Sequence, residues 1–347
     1  MINRFTGNQE NDPSRIRYFR AWKYFMRDGE DGAIIVLVAV AMTVLLGVTA
    51  LCIDAGMAYL RTNQLQTSLD AAVYSACQKL PVMITDTDSQ NAVKDLAIHY
   101  AALNGYPELS RNDVTLEGEA LGYYTKIRVS ASESMNLKFA PALGIDTVNF
   151  TRSSAAKLSP LKKISGLAPL GVEESVLQTK LADHQLEHVV LKYGISSGAG
   201  PFFGALDFDG LGGGASDYRL WLSTGYNGEV HIGDILYKED GNMTGPTYQG
   251  FSDLYNACTH YGALTGWDGC TADHYNPSCP RIVKIVVYTT VDKQTIQVEG
   301  FAAFLLEQQT DDGYITGTFL SETSNGECSG EDMTDQNFYA LSGVMLA

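Results

Sequence analysis

Ala33 to Ile53 reads AIIVLVAVAMTVLLGVTALCI, 21 residues without a charged side chain. As a helix rising 1.5 Å per residue it measures about 31 Å, enough to cross a hydrocarbon core. A single segment in lipid satisfies its backbone only as a helix, so the stretch predicts a transmembrane helix bounded by Gly32 and Asp54. Asp54 sets the far edge, because a carboxylate is costly any deeper in the bilayer. The pattern then changes without a break. Leu65, Leu69, Ala72, Val73, Ala76 and Leu80 recur at steps of three and four, one face of a helix, with Arg61, Gln64, Gln66, Asp70 and Gln78 between them. Pro81 closes the run. Gly32 to Leu80 is thus expected to be one continuous rod, half in lipid and half out, whose second half packs its apolar face on its own domain or on partner helices.

Charge orients the rod. The formal net charge is −16, yet Arg4, Arg15, Arg17, Arg20, Lys23 and Arg27 make the segment before the span slightly basic, and essentially all the net acidity lies after it. Lys and Arg crowding one flank hold that flank in the cytoplasm, so the C-terminal body is expected to be exported from the inner membrane. An acidic exported body lacks the basic stripe that nucleic acid needs, and it does not suit anionic lipid. The apolar core is too long for a cleaved secretory signal, whose core has about 7–15 residues, so a retained anchor is expected. Residues 16–27, IRYFRAWKYFMR, alternate bases with aromatics as a juxtamembrane amphipathic helix does, with Trp22, Tyr24 and Phe25 at headgroup level.

Beyond Pro81, Ser89 to Asn104 has helical spacing and stops at Gly105 and Pro107. Val114 to Gly118 and Tyr123 to Ser130 read as strands, Asn136 to Leu143 as a short helix before Gly144, and Val148 to Leu158 as a further strand. SPLKKISGLAPLG, Ser159 to Gly171, carries turn signals and reads as a boundary. After it come candidate strands at Glu187–Tyr193, Phe202–Phe208, Glu229–Ile232, Arg281–Thr289, Thr295–Leu306 and Tyr314–Leu320, with helices at Tyr218–Leu222 and Thr247–Cys258. The fold class is therefore α+β: a transmembrane helix extended into a long amphipathic helix, a small helix-and-strand unit that resembles the pilin-like arrangement of such a helix packed on a small antiparallel sheet, then a β-rich domain. The expected division is 1–31, a cytoplasmic basic arm; 32–54, the span; 55–160, an α+β unit; and 161–347, a Gly- and Cys-containing exported domain.

The run Asp54-Ala55-Gly56-Met57-Ala58-Tyr59-Leu60, followed by Leu65-Gln66-Thr67-Ser68-Leu69-Asp70-Ala71-Ala72, resembles the N-terminal signature of TadE/TadG-like proteins of the tight-adherence (Flp) pilus assembly system. The resemblance covers about the first quarter of the chain. It implies a single-pass component of a pilus or secretion machine, or a minor pilin-like subunit, acting by assembly and adhesion and not by catalysis. Its partners would be membrane lipid, other Tad/Flp assembly proteins and further copies of itself. Pilin relatives are cut after a Gly with a Glu five residues on; here Leu37 stands five after Gly32, so no processing is expected. Some TadG-like relatives carry a von Willebrand A domain with Asp-x-Ser-x-Ser, which this sequence lacks. Gly241 to Thr247, GNMTGPT, resembles a run of a Tad subgroup; it supplies a turn, with Thr247 as the N-cap of the helix behind it.

Cys52 lies in the span and Cys77 on the rod, about 37 Å apart by helical rise, too far to bond. Cys258, Cys270, Cys279 and Cys328 fall in the exported domain, where disulfides persist, and two bridges among them are the expectation. A metal site competes, because His260 and His274 interleave with Cys258, Cys270 and Cys279. That spacing matches no standard zinc pattern, and an oxidising compartment disfavours free thiolates. His184 to His188 spells H-x-x-E-H, but His188 to Tyr193 reads as strand and no Glu occurs between Glu239 and Glu299. Asp207-Phe-Asp209 begins like a calcium loop but has Leu211 and Tyr218 at ligand positions, so it reads as a Gly-rich turn. No nucleophile elbow, Walker loop or dinucleotide fingerprint occurs, so no catalytic residue and no cofactor are expected. The competing classes are a membrane-tethered hydrolase and a ligand-binding or adhesin domain on a single-pass anchor.

Overall fold

The computed structural model describes residues 31–182, 188–192, 205–212, 214–239, 243–260, 269–272, 274–309, 315–321, 323–338 and 340–347. The basic arm and the 16–27 segment lie outside the described residues. So do His184 and Glu187 of the H-x-x-E-H run and Gly241 and Asn242 of the GNMTGPT run.

Helix α1, Asp31–Cys77, opens the described chain. No proline interrupts it, and Thr43, Thr49 and Thr62 each turn a hydroxyl back onto the carbonyl four residues earlier, so their polar groups are spent within the helix. The amides of Lys79 and Leu80 bond the carbonyls of Ala76 and Cys77, tightening the end before Pro81. Strand β1, Val82–Met83, leads to helix α2, Thr87–Leu103. Asp86 caps α2 by accepting the amides of Asp88 and Ser89, as an N-cap carboxylate should. Strands β2, Val114–Ala120, and β3, Tyr123–Asn136, form a hairpin that aligns Val114 with Val129. Along β3 the buried positions are Thr125, Ile127, Val129 and Ala131, the period-2 pattern that its sequence predicts. Strand β4, Thr147–Ile164, runs on through Ser159 and Pro160, and β5, Leu167–Glu173, comes directly after it, so strand occupies most of the stretch whose composition reads as a boundary.

The remaining elements are helix α3, Glu174–Ala182; strands β6, Val189–Lys192, and β7, Leu206–Asp207; helix α4, Gly214–Thr224; strands β8, Val230–His231, and β9, Ile235–Lys238; helix α5, Thr244–Ala257; and strands β10, Ile282–Thr290, β11, Thr295–Gln309, β12, Ile315–Leu320, β13, Glu327–Cys328, and β14, Ser342–Leu346. Two sheets result, which with the long helix make the chain α+β. One has the order β1-β3-β4-β13, with β2 on β3 and with β8 and β14 on β4; the other runs β5-β10-β11-β12-β6, with β9 on β11 and β7 on β9.

The chain divides into two compact units. One joins the described residues up to Asn63 with Glu133–Phe150; the other joins Gln64–Ser132 with Thr151–Ala347. In the larger unit the central sheet is buried on both faces. Val283, Ile285, Val287, Phe304 and Leu306 share one core with Tyr218 and Leu222 of α4 and Phe251 and Leu254 of α5. Val286, Tyr288, Val298, Phe301, Ala303 and Leu305 share the other with Leu161, Ile164, Cys270 and Cys279. Burial on both faces is why most of β10 and the Phe301–Leu306 half of β11 read as apolar runs and not as alternation. Gly250 lets α5 approach α4, since a Cβ there would press on the Leu222 side chain.

Candidate functional site

The first half of α1 stands bare. From Ile34 to Ile53 its large side chains are exposed, with Leu37 at 71% and Leu46 at 68%. Of the described helices, α1 is the one long and apolar enough to cross a membrane. Apolar surface on this scale costs free energy in water, so the segment is built for lipid or for other helices.

Asp54 ends this bare stretch and is itself buried, 3% exposed. Its Oδ1 accepts the amide of Lys138 at 2.8 Å, and its Oδ2 accepts those of Phe139 at 2.8 Å and Ala140 at 2.6 Å. These amides open the 3-10 turn Ala140–Leu143, whose own N-cap position, Phe139, offers no side-chain acceptor. A first turn leaves its N–H groups without partners, and Asp54 supplies them from a distant part of the chain. About two turns further on, Arg61 pairs with Glu133, so the helix holds the β3–β4 hairpin tip at two points. The tip presents Phe139, Leu143 and Ile145, each about half exposed or more. The sequence marks Asp54 as the edge of the span; the structure adds the turn that it holds. Asn136 to Leu143 is not the helix its spacing predicts: β3 continues to Asn136 and only Ala140–Leu143 coils, because Gly144, at φ +82, ends the turn in the left-handed conformation.

The Tad family model, described as "Putative Flp pilus-assembly TadE/G-like", matches residues 32–79. Over those residues the chain is similar to the Tad family. The match covers the bare half of α1, the Asp54 clamp and the second half of the helix together. No curated protein and no solved structure matches the chain.

Within residues 32–79 the signature residues have different surroundings. Gly56 has open space about it. Tyr59 and Leu60 are both 68% exposed. Gln66 donates to Asp70 one turn on, while Ala71 is half-buried. Leu65, Leu69, Ala72, Val73 and Ala76 are buried in the larger unit, as are Val93, Ala97 and Ala101 of α2. Of the two uses that the amphipathic face allows, the structure displays the internal one. Ser68, on the same stretch, donates to the carbonyl of Asn104 at the end of α2.

The candidate residues elsewhere have separate fates. All six cysteines are free thiols. Cys52 is exposed on the bare half of α1, and Cys77 is buried. Cys258, Cys270 and Cys279 gather with His260, their ligand atoms all within 4.8 Å of one another. Burial opposes ionisation of Cys258, yet the amide of Cys270, the Cys279 thiol and His260 bring its pKa down to about 6. His274 and Cys328 stand outside that group; Cys328 lies on β13, where its sulfur abuts Gly343. His188 bonds Glu307 at 2.7 Å. Asp207 spends its carboxylate on the amides of Asp209, Gly210 and Gly212, which makes the Gly-rich stretch a closed turn. Thr247 is not an N-cap: it lies inside α5, buried, its hydroxyl donating to the Met243 carbonyl and hydrogen-bonded to the Tyr218 hydroxyl, because the helix begins three residues earlier.

Proposed function

We propose that the chain is a single-pass component of a Tad/Flp pilus assembly or secretion apparatus, or a minor pilin-like subunit of it, which acts by assembly and adhesion. The observation that carries this is the coincidence of the Tad match with a helix whose first half is apolar and uncovered. In this reading residues 32–54 span the inner membrane, the basic arm 1–31 stays in the cytoplasm, and the 55–160 and 161–347 portions are exported. Membrane lipid covers Ile34 to Ile53, and the hairpin tip with Phe139, Leu143 and Ile145 dips into the headgroup layer beside Asp54. Tyr59 and Leu60, exposed just past the clamp, contact another subunit, either a further Tad/Flp protein or a second copy. No catalytic residue takes part.

Co-purification from native membranes tests this. The reading expects an intact N-terminus, extraction only by detergent, and pilus-assembly proteins in the same fraction, with Tyr59→Ala/Leu60→Ala depleting those proteins but not the chain itself. Recovery in the soluble fraction, or in membranes without such partners, would overturn it.

A further inference from the structure

We propose that Cys258, His260, Cys270 and Cys279 hold one zinc ion in a closed structural site. The inference does not depend on the pilus reading. Tetrahedral zinc with Zn–S near 2.3 Å sets its sulfurs about 3.8 Å apart. Cys258 Sγ lies 3.4 Å from Cys279 Sγ, 3.9 Å from Cys270 Sγ and 3.9 Å from His260 Nδ1. Four donors of the types that zinc prefers thus surround a space of the right size. Three sulfurs meeting at one point do not suit a disulfide, since bonding any two leaves the third beside them unpaired.

The main chain around the group is arranged for thiolates. The amides of His260 and Cys270 point at Cys258 Sγ, and the amide of Arg281 points at Cys279 Sγ. In both cases an amide two residues after a cysteine turns back onto its sulfur, an arrangement that stabilises a ligated thiolate. Charge agrees. Three thiolates and a histidine around Zn²⁺ carry a net charge of −1, and a cation lies against the group. Arg281, 4% exposed, donates to the carbonyls of Cys270 and Leu306 and stacks on the Tyr255 ring, 4.6 Å from its centroid. No carboxylate pairs with it among the described residues. A Cβ placed on Gly269 would meet both the Arg281 guanidinium and Cys258 Sγ, so this buried cation and that sulfur flank the same glycine.

The site has a structural task. Cys258 caps α5, Cys270 follows the tight turn at Gly269, and Cys279 precedes β10 by three residues. Between α5 and β10 the described residues contain no helix or strand. A connection of that length needs something other than backbone ladders to fix it, and a metal joining its start, middle and end would do so. Four protein ligands leave zinc no open position for substrate, which makes the site structural and not catalytic.

The test uses full-length protein extracted from native membranes in detergent through a tag without histidines. Elemental analysis should find about one zinc per chain. A mercurial should release it in step with the three clustered thiols. Cobalt exchanged into the site should show tetrahedral d–d bands with thiolate charge transfer. Cys279→Ser should lose the metal, His260→Cys should keep it with stronger charge transfer, and His274→Ala and Cys328→Ser should keep it unchanged. The wild-type cobalt spectrum decides the matter even if Cys279→Ser does not fold. Less than about a tenth of a zinc per chain, an octahedral or thiolate-free cobalt spectrum, or a peptide mass showing a bridge among Cys258, Cys270 and Cys279 would overturn the proposal.

Discussion

Leu69→Ala separates the two roles available to the second half of the long helix. Leu69 is 0% exposed, and its turn neighbours Leu65, Ala72, Val73 and Ala76 are 2% exposed or less, so no solvent reaches the space that truncation opens. Three carbons are lost, which at about 0.8 kcal/mol per buried methylene removes roughly 2.4 kcal/mol of transfer free energy. The cavity left in a close-packed site adds to that, and Leu-to-Ala truncations in such sites cost about 3–5 kcal/mol in all. For a unit of this size about 2–4 °C is lost per kcal/mol, so the midpoint should fall by roughly 6–20 °C. Thermal unfolding in detergent, followed by tryptophan fluorescence, reads this directly. Leu60→Ala is the comparison: on the same helix but 68% exposed, it should shift the midpoint by no more than about 1–2 °C, as surface changes do. If Leu69→Ala unfolds within about 2 °C of wild type, or Leu60→Ala falls as far as predicted for Leu69→Ala, the face at Leu69 is not core and the packing argument fails.

Asp54→Ala should speed hydrogen exchange at the amides of Lys138, Phe139 and Ala140 while leaving β2 amides protected; unchanged exchange at those three would remove the clamp. Chelation of the zinc site should open the Cys258–Arg281 connection to proteases, with new termini mapped by mass spectrometry, whereas cleavage confined to other connections would separate that segment from any metal. Acid should act through paired carboxylates: Arg111 beside Asp95, Lys162 beside Glu327 and Lys157 beside Asp332 hold those groups below their ordinary values. A carboxyl depressed by folding stabilises above its unfolded pKa and loses that contribution as pH falls through the lower, folded value. These pairs therefore predict a melting midpoint that is flat from about pH 5 to 7 and declines below about pH 4, and a midpoint that rises on acidification would contradict them.

Regular elements were legible wherever one physical pattern dominated. Tyr123 to Ser130 alternates because one face of β3 is buried, and Phe301 to Leu306 is continuous because that half of β11 is buried on both. Helices α2 and α4 announce themselves by period, though Gly214–Thr224 extends well past the Tyr218–Leu222 core of its signal. Composition hides the strands between Ser159 and Gly171. Pro160 and the small residues suggest a break, yet β14 pairs across Pro160 through Ser342 and the strand continues, since a sheet tolerates proline where its missing N–H is not needed. The short strands β13 and β14 are invisible locally, because partners far back along the chain make them strands. The same holds for both sites. Nothing near Asp54 in sequence points to the amides of Lys138 to Ala140, which lie more than 80 residues away. The Cys and His residues were visible one by one, but their spacing fits no compact motif, since a helix end, a turn and a strand start assemble the group.

The helix itself places the recognition surface. Its apolar residues form one unbroken sequence signal from Ala33 to Leu80, but only the part after Asn63 is covered by the fold. A face already buried at Leu65, Leu69 and Ala76 has no area left to offer a partner without opening its own core, at the cost worked out for Leu69. In the reading proposed above, partner contact by residues 32–79 falls on the side chains that folding leaves outside: Ile34 to Ile53, Tyr59 with Leu60, and Tyr74. Substitutions there should alter association and spare stability, while substitutions at the buried Leu65, Leu69, Ala72, Val73 and Ala76 should do the reverse. A variant of the first group that melts like Leu69→Ala, or one of the second that loses partners at full stability, would break that division.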